Sequence, residues 1–132
     1  MSAQDNLRLI QAFLGSHDPT SFYTEDATFH LMDQPEPLRG RAAIGAMLRM
    51  FYAEAFTDAH AEPRGLVADE NAVVAEFVFH GNNTGSLNGM PPTGKTVAVP
   101  MIAVYEVANG RVHRGRLYYD SMSMARQLGW VQ

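Results

Sequence analysis

The sequence predicts an α+β domain, and three observations carry that assignment. Apolar residues recur at 3.6-residue spacing only in the first half of the chain. They alternate at two-residue spacing through most of the second half, and an Asn-Gly pair at 109–110 separates two of the alternating runs. Helices first and a meandering, mostly antiparallel sheet afterwards imply a curved sheet wrapped around a pocket and covered by the N-terminal helices.

Over residues 6–14, Leu7, Ile10, Phe13 and Leu14 repeat at helical spacing, with Ser2 or Asp5 placed to cap the helix and Gly15 to stop it. His17-Asp18-Pro19 reads as a turn into a short helical piece through Phe22 and Tyr23, and 27–32 as a first strand. Pro35, Pro37 and Gly40 then break the chain. A second helix follows over 41–56, with Ile44, Met47, Leu48, Phe51 and Tyr52 on one face. Strands are expected over 60–67, 71–81, 95–107 and 111–120, with turns at Asp69-Glu70-Asn71 and Asn109-Gly110. The stretch 82–94, rich in Gly, Asn and Pro, reads as a wide connection.

The 132 residues, 46% hydrophobic and 18% charged, describe one domain over 1–132. There is no cysteine, which removes thiol nucleophiles, disulfides and zinc knuckles and points to a cytoplasmic protein. Ten basic residues stand against 14 acidic ones and are scattered, so no nucleic-acid partner is expected. No apolar run is long enough to span a membrane, and the first residues lack the charged and apolar regions of a leader. Gly85, Gly89 and Gly94 precede a strand and lack phosphate-loop spacing, and no His, Asp or Glu pair has metal-ligand spacing. Neither a metal nor another cofactor is therefore expected. A small-molecule enzyme, a binder and an interaction module are the classes left.

Residues 80–95 read His-Gly-Asn-Asn-Thr-Gly-Ser-Leu-Asn-Gly-Met-Pro-Pro-Thr-Gly-Lys, and the chain closes with Asn-Gly-Arg-Val at 109–112, Tyr-Tyr-Asp at 118–120 and Arg-Gln-Leu-Gly at 126–129. Both segments resemble the SnoaL-like polyketide cyclases of the nuclear transport factor 2-like superfamily. Tyr-Thr-Glu-Asp-Ala at 23–27 and Arg-Gly-Arg-Ala-Ala-Ile at 39–44 are similar to the superfamily's first-strand and second-helix entries. The resemblance implies a cystatin-like cone, with a curved sheet around a blind pocket and dimerisation through the sheet's outer face. It leaves the chemistry open, because that superfamily holds cyclases, isomerases, dehydratases, epoxide hydrolases and plain binding domains.

Along the last strand Val112, Arg114, Arg116, Tyr118 and Asp120 fall on one side, and along an earlier one Val74, Glu76, Val78 and His80 do. An acid and a base on one sheet face suggest a site, because ionisable groups in a dry core must be paired or neutral. The expectation is that Asp120, with His80 nearby, sits in an apolar cavity as general acid/base and that Arg116 orients it or binds an oxyanion. Resemblance adds that the aspartate after Tyr118-Tyr119 matches the acid/base of the polyketide cyclases. Against this stand a helix cap for Asp120 ahead of Ser121, a structural His80, and an Arg116 ion pair with Glu76 or Glu106.

Tyr23, Tyr105 and Tyr118 are candidate donors to a substrate oxygen, Asp33 a second carboxylate, His30 a further polar group, and Met101 one of several methionines fit to line an adaptable pocket. Alignment with the superfamily's ketosteroid isomerases puts Leu31 where they carry their base. The strand over 97–104 lacks the ionisable residues that the superfamily's epoxide hydrolases need. The expected activity is a cofactor-free lyase, cyclase or isomerase acting on an apolar, carbonyl-bearing molecule; the alternative is a non-catalytic binding or dimerisation module. Phe77, Phe79 and Leu117, read as an exposed outer patch, suggest a homodimer.

Overall fold

A computed structural model describes residues 2–16 and 18–131, so His17 of the expected turn lies outside the described residues. The Ser2 hydroxyl accepts the Asp5 amide proton while the Asp5 carboxylate accepts that of Ser2. This capping box starts α1 (Ala3–Leu14) three residues earlier than the apolar spacing indicates, and Gly15 ends it as expected. A 3₁₀ turn (Pro19–Phe22) leads directly into β1 (Tyr23–Leu31), so Tyr23 opens the strand instead of closing the helical piece.

After β1 come β2 (Leu38–Arg39), α2 (Arg41–Arg49), β3 (Phe56–Ala68), β4 (Ala72–Asn83), β5 (Thr96–Ala108), β6 (Arg111–Tyr119) and α3 (Ser121–Leu128). The six strands form one sheet in the order β2-β1-β6-β5-β4-β3. Every neighbouring pair is antiparallel except β1 and β6, which run parallel and make the sheet mixed. Asn109 and Gly110 both have positive φ, 53° and 75°, as the tight hairpin between β5 and β6 requires. The Asp69 carboxylate accepts the amides of Asn71 and Ala72 and closes the other turn.

The expected helix over 41–56 is interrupted. α2 stops at Arg49 and a π-helical turn (Met50–Glu54) follows, after which Phe56 already belongs to β3. The wider turn brings Phe51 and Tyr52 against Phe79, at ring-centroid distances of 5.8 and 5.5 Å.

The Gly-rich connection clamps this turn. Asn83 is fully buried and its side-chain amide donates to the carbonyls of Ala55 and Gly85, both at 3.1 Å, while its oxygen accepts from the Thr93 amide and hydroxyl. The Ala55 carbonyl also takes the amides of Thr84 and Gly85. A Cβ at Gly85 would overlap the Glu54 carbonyl, so only glycine permits the approach.

Alternation sends Val73, Ala75, Phe77 and Phe79 of β4, and Val97, Val99, Met101, Ala103 and Tyr105 of β5, into the core. Phe77, Phe79 and Leu117, 8%, 1% and 7% exposed, therefore do not form the expected outer patch. In β6 the ladder to β5 passes from Glu106–Arg114 to Val107–Val112, leaving His113 as an extra residue. The bulge separates Val112, which is buried, from Arg114, Arg116 and Tyr118, which point out of the opposite face. Gly115 is buried because the Phe29 ring occupies the space a side chain would take.

Replacing Asn83 with Ala should cost about 3 kcal/mol, since several buried partners lose their hydrogen bonds together. A melting temperature lowered on the order of 10 °C would record it. A melting temperature unchanged within 2 °C, by about the same conversion, would show that the clamp is not needed.

Candidate functional site

The concave face of the sheet is only partly covered by the helices. Between them lies a cavity of about 1080 Å³, floored by Phe77, Phe79, Met101, Tyr105 and Leu117 and roofed by Phe13, Met47 and Phe51. Its size suits a drug-sized or larger molecule. Asp18 and Arg49, both exposed, also border it at its openings.

Three phenols border the cavity, and Gln11, Ser16 and Thr20 add further polar groups to its lining. Tyr23 is 1% exposed and packs edge-on to Phe13 at 5.5 Å and Phe29 at 6.5 Å. Its hydroxyl is enclosed and has no hydrogen-bond partner among the described residues. Burial pushes its ionisation well above the ordinary phenol range, and the nearby Tyr105 and Tyr52 add to the shift. Tyr105 is raised for the same first reason, with Tyr52 contributing. Tyr52, 40% exposed at the cavity rim, has its hydroxyl pushed up to about 12 by burial. The three rings come from β1, the π-helical turn and β5, so no local motif announces them together.

Tyr23 is held from behind. Arg41, at the first position of α2, donates from Nε and Nη2 to the Tyr23 carbonyl at 2.9 and 2.7 Å. The ladder between β1 and β6 is irregular just here, with Tyr23 opposite Val112 and the next pair at Thr28 and Arg114. The guanidinium fastens that carbonyl where the ladder becomes irregular.

The ionisable residues expected at the site lie elsewhere. Asp120 is exposed and caps α3, with Oδ1 accepting the Ser123 amide at 3.0 Å. His80 points out of the opposite sheet face, where its Nε2 meets Glu62 at 2.9 Å and its ring stacks on His60 at 4.8 Å. Arg116, also on the outer face, pairs with Glu106, whose carboxylate Arg114 joins at 3.3 Å. The pairing with Glu106 and the neighbouring Tyr118 hold the Arg116 guanidinium above its ordinary range. Asp120, His80 and Arg116 are thus not brought together in the cavity. The reason is the face: apolar residues of β4 and β5 take the inside, and the polar set is left outside.

The candidate binding residues divide. Tyr23 and Met101 line the cavity, whereas Tyr118 is 43% exposed on the outer face. Asp33, in the turn after β1, accepts the Tyr119 hydroxyl at 2.8 Å. Burial first, and Asp33 second, raise the ionisation of that phenol. Asp33, Tyr118 and Tyr119 border a shallower groove of about 560 Å³ that also touches Pro100 and Ile102. His30 bonds the Gln34 carbonyl at 2.8 Å. Tyr52 was not anticipated, because helical spacing places it among ordinary packing residues and only the π-helical turn turns it to the cavity. Among the described residues no cluster of three or more His, Cys, Asp or Glu could hold a metal, and no helix is long and apolar enough to cross a membrane.

The profile of the family described as SnoaL-like polyketide cyclase matches residues 5–128. The aklanonic acid methyl ester cyclase DnrD of Streptomyces peucetius is 31% identical over 101 residues, covering 75% of this chain and 68% of that protein. DauD of Streptomyces sp. (strain C5), with the same activity in its name, is 30% identical over 99 residues, 75% of this chain; the match spans 61% of its length. A protein of Jannaschia sp. CCS1 classed with the SnoaL-like polyketide cyclases shares the fold, with a TM-score of 0.88 at 16% identity over 98% of this chain and 95% of that one.

Two measurements follow from this geometry. Asp120→Ala should lower stability by about 1 kcal/mol through the lost cap, read by urea denaturation; an unchanged midpoint would show that the cap is idle. The raised phenols have their own signature. Unfolded tyrosines ionise near pH 10 while Tyr23, Tyr52 and Tyr105 keep their protons. Their contribution is therefore fully present below about pH 10 and is lost as the pH rises beyond it. Denaturation midpoints compared at about pH 8 and pH 11 should fall, with phenolate absorbance lagging in the folded protein; equal midpoints would contradict the burial.

Proposed function

The chain belongs to the SnoaL-like polyketide cyclase family, and on that premise we propose that its inner cavity takes an apolar, carbonyl-bearing compound of polyketide type and closes a ring in it. The observation that carries this reading is the cavity itself: mostly apolar walls of ligand size, with Tyr52 and Tyr105 among the polar residues of its lining. The names of DnrD and DauD support a ring-closing reaction on a carbonyl compound.

An intramolecular aldol-type closure asks little of a protein. A carbon between two carbonyls gives up a proton, the resulting carbanion bonds to a ketone carbon, and the new alkoxide takes a proton back, so the product is an isomer of the substrate. The walls fold the chain until the reacting carbons meet at about 3–3.5 Å. The phenols donate to the oxygen on which charge develops, in surroundings that exclude water. Proton exchange falls to the opening where the Asp18 carboxylate is exposed. This reading routes no step through Asp120, which stands outside the cavity as a helix cap.

A thermal-shift screen with polycyclic ketones and β-keto esters tests it, since a ligand at a hundred times its Kd adds about 2.7 kcal/mol of stability. We expect ketone hits on the wild type and on Asp120→Asn alike, with turnover of a β-keto ester within about threefold between them. Turnover abolished by Asp120→Asn would return the chemistry to that carboxylate. One observation favours a second reading, a non-catalytic binder: among the described residues no carboxylate or imidazole is buried in the cavity wall. Ligand hits without turnover of any β-keto ester would decide for it.

The homodimer is proposed on other residues than the sequence indicated. Val74, Ile102 and Tyr118 are 38%, 40% and 43% exposed on the outer face, and the ladder sets Ile102 beside Tyr118. Sedimentation at micromolar concentration should give a dimer that Ile102→Lys dissociates; a wild-type monomer would remove the proposal.

A further inference from the structure

Gly45 stands in the interior of α2, where glycine is the poorest helix former after proline. Space accounts for it. A Cβ built there would lie 3.2 Å from the Thr20 methyl and 3.4 Å from Nη1 of Arg49, and all three residues border the cavity. Arg49 therefore folds back over the preceding helix turn, and its guanidinium rests beside Thr20 at the cavity opening. From its other side Thr20 donates its hydroxyl to Asp18 Oδ1 at 2.8 Å. One threonine side chain thus stands between a guanidinium and a carboxylate, its methyl toward the Gly45 seat and its hydroxyl on the acid.

Structural uses of Arg49 do not account for this seat. Arg8, Arg64, Arg114 and Arg116 are paired with carboxylates, whereas Arg49 enters no ion pair among the described residues. Nor does it answer a free helix end, because Met50 continues the helical backbone, with φ −57° and ψ −49°, into the π-helical turn. Among the described residues it is the one arginine or lysine that borders the cavity. A guanidinium is a planar fork that matches two oxygens side by side. The carbanion that ring closure requires offers such a pair, since its charge is shared by the two carbonyl oxygens flanking the carbon.

Resting on the cavity reading above, we propose that Arg49 grips those two oxygens and holds the enolate at the cavity opening, while Asp18, held by the Thr20 hydroxyl, takes the proton from the carbon between them. The electron pair of the broken C–H bond passes into the enolate. The new bond then forms from that carbon to the ketone carbon, and the proton on Asp18 returns to the alkoxide oxygen, so that no co-reactant is consumed. The substrate class follows: a 1,3-dicarbonyl whose acidic carbon sits at the opening and whose apolar rings fill the cavity.

Two bicyclic probes of one skeleton test this on the whole chain: 2-acetylindane-1,3-dione, an enolate at neutral pH, and its 2-methyl derivative, in which that enolate is blocked. The wild type should bind the enolate about tenfold more tightly, the size of one charge-assisted contact. Arg49→Met should bring the enolate down to the level of the methyl derivative, leave the latter within about twofold, and slow turnover of a β-keto ester about a hundredfold. Arg49→Lys keeps the charge without the fork and should fall between. Asp18→Asn keeps an oxygen for Thr20; it should slow turnover about a hundredfold and leave the enolate bound at least as tightly, because a nearby negative charge is gone. Equal weakening of both probes by Arg49→Met, or an enolate preference that survives it, overturns the grip. Turnover in Asp18→Asn within about threefold of the wild type overturns the proton transfer. Should Arg49→Met fail to fold, ionic strength decides on the wild type: raising salt from about 0.05 to 0.5 M should weaken the enolate and spare the methyl derivative, and an equal response overturns the grip. Wild-type protein that binds neither probe removes the cavity reading itself; one that binds both equally removes only the grip.

Discussion

Side-chain alternation along β4 and β5 is the constraint from which the rest of the structure follows. A strand has two faces, and here one carries Val73, Ala75, Phe77 and Phe79, the other Val74, Glu76, Val78 and His80. Burying the first set removes large aromatic areas from water at about 25 cal/mol per Å². Burying the second would trap a carboxylate and an imidazole. The choice of face is thereby made for β4, and pairing transmits it to β5 and β6. It places the ion pairs of Glu106 with Arg114 and Arg116, and of Glu62 with His80, on the outside. Among the described residues the interior is left without a buried charge.

A curved sheet needs a roof, and here the roof is fixed at one buried amide. Asn83 uses both its N–H donors and accepts twice at its oxygen, so its burial carries no unsatisfied group. Through the Ala55 carbonyl it anchors the end of the π-helical turn, and through Thr93 the return of the Gly-rich connection. Phe51 and Tyr52 owe their place above Phe79 to that anchoring. The Gly-rich segment, which by composition resembles a ligand loop, works as a fastening for the wall of the cavity.

Local periodicity made much of this legible. α1, the start of α2, the four long strands and the hairpin at Asn109-Gly110 are written in short-range patterns, and each stands within a few residues of where those patterns put it. What escapes such reading is set at longer range. The π-helical turn arises where the Gly-rich connection grips Ala55, some 30 residues away in sequence by the Asn83 contact. The bulge at His113 reverses the face of Val112 relative to Arg114, so two-residue counting from either end of β6 fails across it. The parallel union of β1 with β6 joins the two ends of the chain and leaves no local trace. At the site, Tyr23 and Met101 were visible as candidates because their types suit a pocket. Asp120, His80 and Arg116 drew attention through their chemistry, and only the choice of face decides that they look outward. The helix-capping alternative for Asp120 was equally visible, and the Ser123 amide shows it in use.

A site with phenol donors and, among the described residues, no buried charge acts by holding an oxygen and shaping the carbon skeleton around it. Isotope-edited infrared spectroscopy of bound 1-tetralone carrying a ¹³C carbonyl reads that interaction directly, because a hydrogen bond lowers the carbonyl stretching frequency. The account predicts a stretch in the wild type well below its value in a dry hydrocarbon solvent. A wild-type stretch already at the hydrocarbon value would contradict it, since a ketone would then occupy the cavity without meeting a donor.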